Sequence, residues 1–135
     1  MLFGQEHVDR YRATDGEEGY VWQRGTTILL LTTRGRKSGE ERTTPLIFRP
    51  HGAGWMVVAS KGGTDAPPAW YVNLKASPDD VRVQVRGDRF EVRARDATPE
   101  EQPRLWREMA EVWPDYDDYQ QRTQRRIPVV VLEPA

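Results

Sequence analysis

Arg36, Lys37 and Ser38, bracketed by Gly35 and Gly39 and followed by Arg42, are the residues of this chain best suited to hold a charged ligand. Two cations and a hydroxyl between two glycines let backbone N–H groups and positive side chains converge on one anion. The spacing is not that of a P-loop, which needs a Gly-Lys-Ser/Thr after its first glycine and four intervening residues; here Lys37 follows Arg36. Taken alone, such a run also fits a solvated hairpin tip. A second turn, Ser60-Lys61-Gly62-Gly63, follows one hairpin later, and then Pro68-Ala69-Trp70-Tyr71-Val72-Asn73. Adjacent strands lie about 5 Å apart, so the two turns can serve one elongated anionic ligand.

The elements that position these turns follow from the hydrophobic pattern. Residues 1–26 are polar and turn-rich, with a short helix near Glu6–Arg12 and a turn at Asp15-Gly16. Thr27–Thr33 reads as a strand whose unbroken Ile28-Leu29-Leu30-Leu31 run predicts burial on both faces. Arg42–Arg49 is a second strand, and Pro45 within it points to an edge, a bulge or a close ligand approach. A turn at His51-Gly52-Ala53-Gly54 leads to a third strand, Trp55–Ala59. Thr64 or Asp65 can cap a short helix starting near Pro67 and ended by Pro78. Val81, Val83 and Val85, then Phe90, Val92 and Ala94 across Gly87-Asp88, alternate as a hairpin with one wet face. Thr98-Pro99-Glu100-Glu101 is a capping box opening a helix with Leu105, Met109 and Val112 on one stripe, Trp106 and Trp113 beside them, and Pro114 as its stop. A short helix with Tyr116 and Tyr119 and a last apolar strand, Ile127–Leu132, complete the chain. Short hairpin links require antiparallel pairing. About six strands closed on themselves to remove edges, with helices outside, make a small barrel of the α+β class.

Composition narrows the function. A chain of 135 residues reads as one domain over 1–135, with enough core to fold alone. Its net charge of −1 supplies no general field for nucleic acid, so the positive charge at 34–42 is local and suits a small anion. Without cysteine there is no disulfide framework or thiolate chemistry. Two histidines, His7 and His51, read as exposed loop or helix residues and make a zinc site of usual type unlikely to form, so no metal is expected. No segment approaches the ~20 apolar residues of a membrane span, and no signal-peptide run opens the chain. The expectation is a cytoplasmic protein, with a membrane-peripheral position left open. Residues 5–13 carry too little apolar surface for an amphipathic anchor.

The ordered set Leu29–Gly39, Arg42-Thr43, Pro45-Leu46, Val57–Gly63, Pro68–Tyr71, Asn73-Leu74, Trp113–Gln120 and Ile127–Val131 resembles the deazaflavin-dependent nitroreductase family of actinobacteria. The match covers roughly residues 8–134. The resemblance implies a split β-barrel oxidoreductase that uses reduced coenzyme F420, an 8-hydroxy-5-deazaflavin. Residue by residue, it implies that Arg36, Lys37, Ser38 and Arg42 form the phosphate-binding turn and that Lys61, Gly62 and Gly63 form a second turn beside the ligand, next to Ala59. It places Pro45 on the strand along which the deazaflavin ring lies, and Ala69, Trp70 and Asn73 at the pocket edge. Trp70 fits equally a core aromatic that anchors its helix. Ile47, Trp113, Tyr116 and Tyr119 fall at the substrate end, and Ser60, Tyr116, Tyr119 or water is the implied proton source. The two tyrosines also fit plain packing against the barrel.

No buried nucleophile, metal or carboxylate pair is needed for such chemistry, because the cofactor carries the hydride and the protein orients it. Two departures bear on the substrate. Ile47 and Trp113 stand where the best-known members have tyrosines, so the substrate wall is bulkier and less hydroxylated, and nitro-drug activation is not carried over. The expected activity is hydride transfer from reduced F420 to a small electron-poor acceptor, a quinone, enone or nitro compound, by a monomer or homodimer. The rivals are an FMN-binding reductase of the same fold, a non-catalytic deazaflavin-binding or storage protein, and a small anion- or nucleic-acid-binding barrel.

Overall fold

Three runs of consecutive apolar residues become strands covered on both sides, and they set the architecture. The computed structural model describes residues 1–135. Its strands are β1 (Ile28–Arg34), β2 (Glu41–Ile47), β3 (Arg49–His51), β4 (Gly54–Val58), β5 (Val81–Val85), β6 (Asp88–Asp96) and β7 (Val129–Pro134). They form one antiparallel sheet in the order β2-β1-β5-β6-β7-β4-β3. The two edge strands, β2 and β3, are separated in the chain by Phe48 alone, so the sheet has to curl until its edges meet at that residue. Four helices pack outside: α1 (Gly4–Thr14), α2 (Ala69–Ala76), α3 (Gln102–Val112) and α4 (Asp115–Gln121). No helix is long and apolar enough to cross a membrane.

Side chains alternate across each strand, which divides the core. Leu29, Leu31, Val57, Val130 and Leu132 point inward against Val81, Val83 and Val92. Ile28 and Leu30 point outward onto Val8 and Tyr11 of α1. Met56, Val58, Val129 and Val131 meet Leu105 and Met109 of α3. Full burial of a Leu or Met of this kind contributes about 1.5–3 kcal/mol. Tyr11 locks α1 in place: its hydroxyl donates to the Ile28 carbonyl at 2.9 Å and accepts from the Arg86 N–H at 2.7 Å, and burial raises its pKa.

Several local expectations need correction. The 42–49 strand is broken at Phe48, whose N–H donates to the Thr27 carbonyl at 3.1 Å, so one expected strand becomes β2 and β3. The polar segment 1–26 holds a longer helix than its composition predicts. His7 on that helix is buried at 2 %, not exposed, and His51 is partly covered, its side chain 23 % accessible. Neither Thr64 nor Asp65 caps α2: the helix begins after Pro68, Thr64 donates to the Ala66 carbonyl, and Asp65 accepts from the Thr123 hydroxyl. Gln84, expected on the wet face of the β5–β6 hairpin, is buried and donates to the Arg86 carbonyl at 2.8 Å.

The capping box forms in both directions, the Thr98 N–H donating to Glu101 Oε1 at 2.9 Å and the Glu101 N–H to the Thr98 hydroxyl at 3.2 Å. Arg95 also grips Glu101, at 2.8 and 3.3 Å, and chiefly through this contact the Glu101 carboxyl is held down at about 2, from an ordinary 4.5. A depressed carboxylate stabilises the fold above its unfolded value and ceases to as pH falls through the folded one. Glu101→Gln is therefore expected to lower the denaturation midpoint at pH 6, with the gap to the parent closing between about pH 4.5 and 2. A gap independent of pH would show that Glu101 acts by packing rather than charge.

Candidate functional site

The basic turn is built to stay open. Between β1 and β2, the Gly35 N–H donates to the Glu40 carbonyl at 2.7 Å and the Gly39 N–H to the Gly35 carbonyl at 2.8 Å, with Gly39 at φ +73°. The Ser38 hydroxyl braces the turn by accepting from the Glu40 N–H at 3.1 Å. Asn73, on α2 and 4 % exposed, ties the turn to the helix: its Oδ1 accepts from the Arg36 N–H at 3.3 Å and from Arg36 Nη1 at 3.0 Å. Its Nδ2 reaches the Thr33 hydroxyl at 3.4 Å. Arg36 is thus committed to the scaffold. Lys37 makes no ion pair, and Arg42 has only an exposed contact to Glu40 at 3.4 Å. These two cations are the ones free to meet an anion.

The turn opens onto a groove of about 450 Å³. Arg36, Lys37, Ser38 and Arg42 form its basic side, and Ala69, Trp70 and Asn73 of α2 face them. Trp70 belongs to the inner core and also borders the groove. Glu41 on the rim is neutralised by Arg82, leaving the cradle positive. Thr43 and Thr44 carry the groove along β2, and Gln5 of α1 closes its end.

Pro45, the next residue of β2, borders a separate cavity of about 140 Å³. The missing N–H of Pro45 is tolerated because β2 is an edge strand. Phe3, Gly4, His7, Trp22 and Ile28 complete the cavity, so residues 4 and 5 of α1 and 44 and 45 of β2 are shared out between two adjoining spaces. Five of these residues, Phe3, Gly4, Gln5, His7 and Trp22, belong to the amino-terminal segment, where the sequence placed no site residue. A lone tryptophan in a polar stretch was the one signal available.

The expected substrate-end residues do come together. Trp113 stacks on Trp22 with ring centroids 5.8 Å apart, and its Nε1–H donates to the Tyr119 hydroxyl at 3.3 Å. The Arg24 guanidinium lies 4.2 Å over the Trp113 ring and pairs with Asp115. Ile47 and Tyr119 pack against the same cluster. Tyr116 is buried, edge-on to Tyr119 at 6.0 Å, and burial pushes its phenol far above the usual range. That ring stays neutral, and its hydroxyl makes no hydrogen bond within the chain.

The second turn lies elsewhere than the groove. Lys61, Gly62 and Gly63 form a 3₁₀ turn with all three residues at positive φ, packed against α4. Gly63 sits directly under Tyr119, and Gly62 offers its carbonyl to Arg122 at 3.3 Å. Ser60 is nearly buried, with its carbonyl taken by Arg125 at 2.9 Å, and Ala59 is wholly inside the core. No group of three or more potential metal-ligating side chains is present.

A family model described as F420H(2)-dependent quinone reductase matches residues 3–134. A protein of Mycobacterium tuberculosis named as an F420H(2)-dependent quinone reductase is 43 % identical over 129 residues, covering 93 % of this chain and 86 % of that protein. The solved structure of an F420-H2 dependent reductase, FDR-A, superposes with a TM-score of 0.71 at 40 % identity, over 78 % of this chain and 93 % of that one. A second solved chain, described as a domain-swapped dimer, gives a TM-score of 0.74 at 36 % identity, over 96 % of each.

Proposed function

The chain belongs to the F420H(2)-dependent quinone reductase family, and from that membership we propose that it transfers a hydride from reduced coenzyme F420 to a quinone or similar electron-poor acceptor. The observation that carries this reading is the groove: an open, locally basic trough along β2, beside a smaller cavity bordered by Trp22 of the aromatic cluster. Its donor set fits the cofactor, with unpaired Lys37, loosely held Arg42 and the N–H groups of Lys37 and Ser38, which the turn does not use, suited to a phosphate and an anionic tail. Bound there, the cofactor supplies a hydride donor on carbon. The protein's part is placement, and holding two rings in register can itself lower a barrier by several kcal/mol.

Arg36 and Asn73 hold the cradle in shape, Trp70 and Ala69 edge the trough, and Pro45 borders the cavity that adjoins it. Ile47, Trp113 and Tyr119 form the wall on the acceptor's side, and Lys61 with Gly62 and Gly63 supports that wall from below through α4. Tyr119 is the better placed of the two tyrosines. Its oxygen accepts from Trp113, which leaves its own hydrogen free for an acceptor's oxygen, whereas Tyr116 is a packing ring. Tyr119→Phe is expected to slow turnover about tenfold with F420 affinity unchanged, while Tyr116→Phe stays within a few-fold of the parent. Equal rates for both variants and the parent would remove the hydroxyl from the mechanism.

The solved relative described as a domain-swapped dimer supports a homodimer as the working state, within one 135-residue domain acting in the cytoplasm. The test of the whole reading is a fluorescence titration of the purified protein with F420 and with FMN, followed by turnover with a quinone. Binding of F420, weak or no binding of FMN, and oxidation of the reduced cofactor on adding quinone are expected. Tight F420 binding with no reoxidation by any acceptor would make it a storage protein, and preferential FMN binding would overturn the cofactor.

A further inference from the structure

A hollow of about 220 Å³ lies on the outer face of the sheet, and Glu41 lines both it and the basic groove. A row of register partners crosses the sheet here: Thr43 of β2, Thr32 of β1, Arg82 of β5 and Glu91 of β6. Paired residues on neighbouring strands share a face, so these side chains stand next to one another. Arg12 of α1 closes one side. Its Nη2 donates to the Thr43 hydroxyl at 2.8 Å, and because Thr43 lines the groove, the Arg12 guanidinium stands where groove and hollow meet. Its neighbour Tyr11 fixes it there, through the two backbone contacts that pin α1 to the barrel. Arg89 of β6 borders the hollow on the opposite side. Arg82 is spent on Glu41 and Asp80. Arg12 and Arg89 pair with no carboxylate, and Glu91 is an exposed acid without an ion pair.

We propose that this hollow is a second anion subsite of the cofactor site, in which Arg12 and, beyond it, Arg89 bind the carboxylates of the glutamate tail of F420. The inference rests on the reading under Proposed function, to which it adds the path of the tail. An anion held at Lys37 and Arg42 continues past Glu41, whose charge Arg82 cancels, and the next unpaired cation on that path is Arg12. No strand pairs with the outer side of β2, so a chain anchored at Arg42 passes its edge without displacing a neighbour. The Arg12 guanidinium rests on β2 and Arg89 rises from β6, three inter-strand steps away, or about 14 Å across the sheet. That spacing suits separate carboxylates along one chain and is too wide for a single phosphate. A guanidinium already held by Thr43 keeps further N–H groups for a carboxylate, and its planar fork suits two-point contact. Glu91 works against this subsite, since its carboxylate repels the tail. Both arginines are exposed, so the contribution is modest, sensitive to salt and smaller than that of the phosphate cradle.

The test is a fluorescence titration with F420 preparations that differ only in the number of glutamates, from none upward. The parent is expected to bind the tailed forms about three- to tenfold more tightly than the form that carries the phosphate and no glutamate. Arg12→Gln and Arg89→Gln together are expected to abolish that difference while the affinity for the tail-less form stays at the parent's value. Arg12→Lys keeps the charge and should recover part of it. Glu91→Gln is expected to widen the difference, a gain of affinity that a damaged fold cannot imitate. Affinity independent of tail length in the parent, or a difference that survives in the double variant, would overturn the subsite. A changed oligomeric state of the double variant by light scattering, with its dependence on tail length intact, would assign the face to a second copy of the chain instead. The tail-less form reports the Lys37 and Arg42 cradle by itself. Failure of every form to bind overturns the underlying function, whereas equal binding of all forms overturns only the role of the hollow.

Discussion

Replacing Lys37 and Arg42 together by alanine is expected to weaken F420 binding by about 10²- to 10⁴-fold, with no loss of thermal stability. The size follows from two charge-assisted contacts of roughly 1.5–3 kcal/mol each, at a factor of ten per ~1.4 kcal/mol. Stability is untouched because neither side chain holds the fold: Lys37 has no partner, and the Arg42–Glu40 contact is 58 % and 70 % exposed. Pairs of that kind contribute little. Each single variant should lose tenfold to a hundredfold. Added salt should imitate the mutation in the parent, since exposed charge contacts are screened over a Debye length of about 8 Å at physiological ionic strength, and should act weakly in the double variant. Fluorescence titration across a salt series measures both effects. Parent affinity in the double variant would return this turn to the status of a solvated hairpin tip.

Gly63→Ala is expected to be among the most damaging single-methyl additions in the molecule. Its φ is +84°, and a Cβ would lie 2.5 Å from the Tyr119 carbonyl oxygen and 2.8 Å from Tyr119 Cα. Both are backbone atoms that cannot rotate aside. Backbone strain and overpacking each cost about 1–3 kcal/mol, so the sum is about 2–6 kcal/mol out of a typical total of about 5–15. A fall in melting temperature on the order of 10 °C follows. The function should suffer beyond the stability loss, because pushing α4 off the 61–63 turn carries Tyr119 away from Trp113. Gly62→Ala is the control. Gly62 is also left-handed, at φ +65°, but a Cβ there meets nothing within 4 Å, so only the strain remains. Melting curves and kcat measured at a temperature where all three proteins are folded separate the two effects. Equal losses for both glycines would mean that the approach to Tyr119 is not what Gly63 provides.

Much of the barrel was legible because its signals are local. The alternation Val81 to Val85 and Phe90 to Ala94 across Gly87-Asp88 states a hairpin within a few residues, and the structure pairs Val83 with Phe90 and Val81 with Val92. The capping box at Thr98–Glu101 is complete in four residues and forms both of its bonds. Unbroken apolar runs at 28–31 and 129–132 announce strands covered on two faces, since a chain of alternating orientation has no other use for them. The basic turn was legible for the same reason: its glycines, cations and hydroxyl are consecutive. What was misread was also local in origin. Phe48 looks like one more residue of a strand, and nothing near it in sequence says that the two halves must serve opposite edges of the sheet.

The pattern of side chains along this chain thus suffices for most of its strands and helices and for the turn where its cations gather. The tertiary structure alone decided how that basic turn acquires a second wall and an adjoining cavity. Asn73 braces Arg36 across 37 residues, Gly63 meets Tyr119 across 56, and Trp22 stacks on Trp113 across 91. His7 becomes buried only because Gly19, twelve residues on, turns its carbonyl inward and α1 is pinned over β1 and β2. Such contacts have no periodicity, because they join elements whose relative placement is set by burying the largest apolar faces together. A residue's own neighbours record which face is apolar, and they carry no record of what that face will be pressed against.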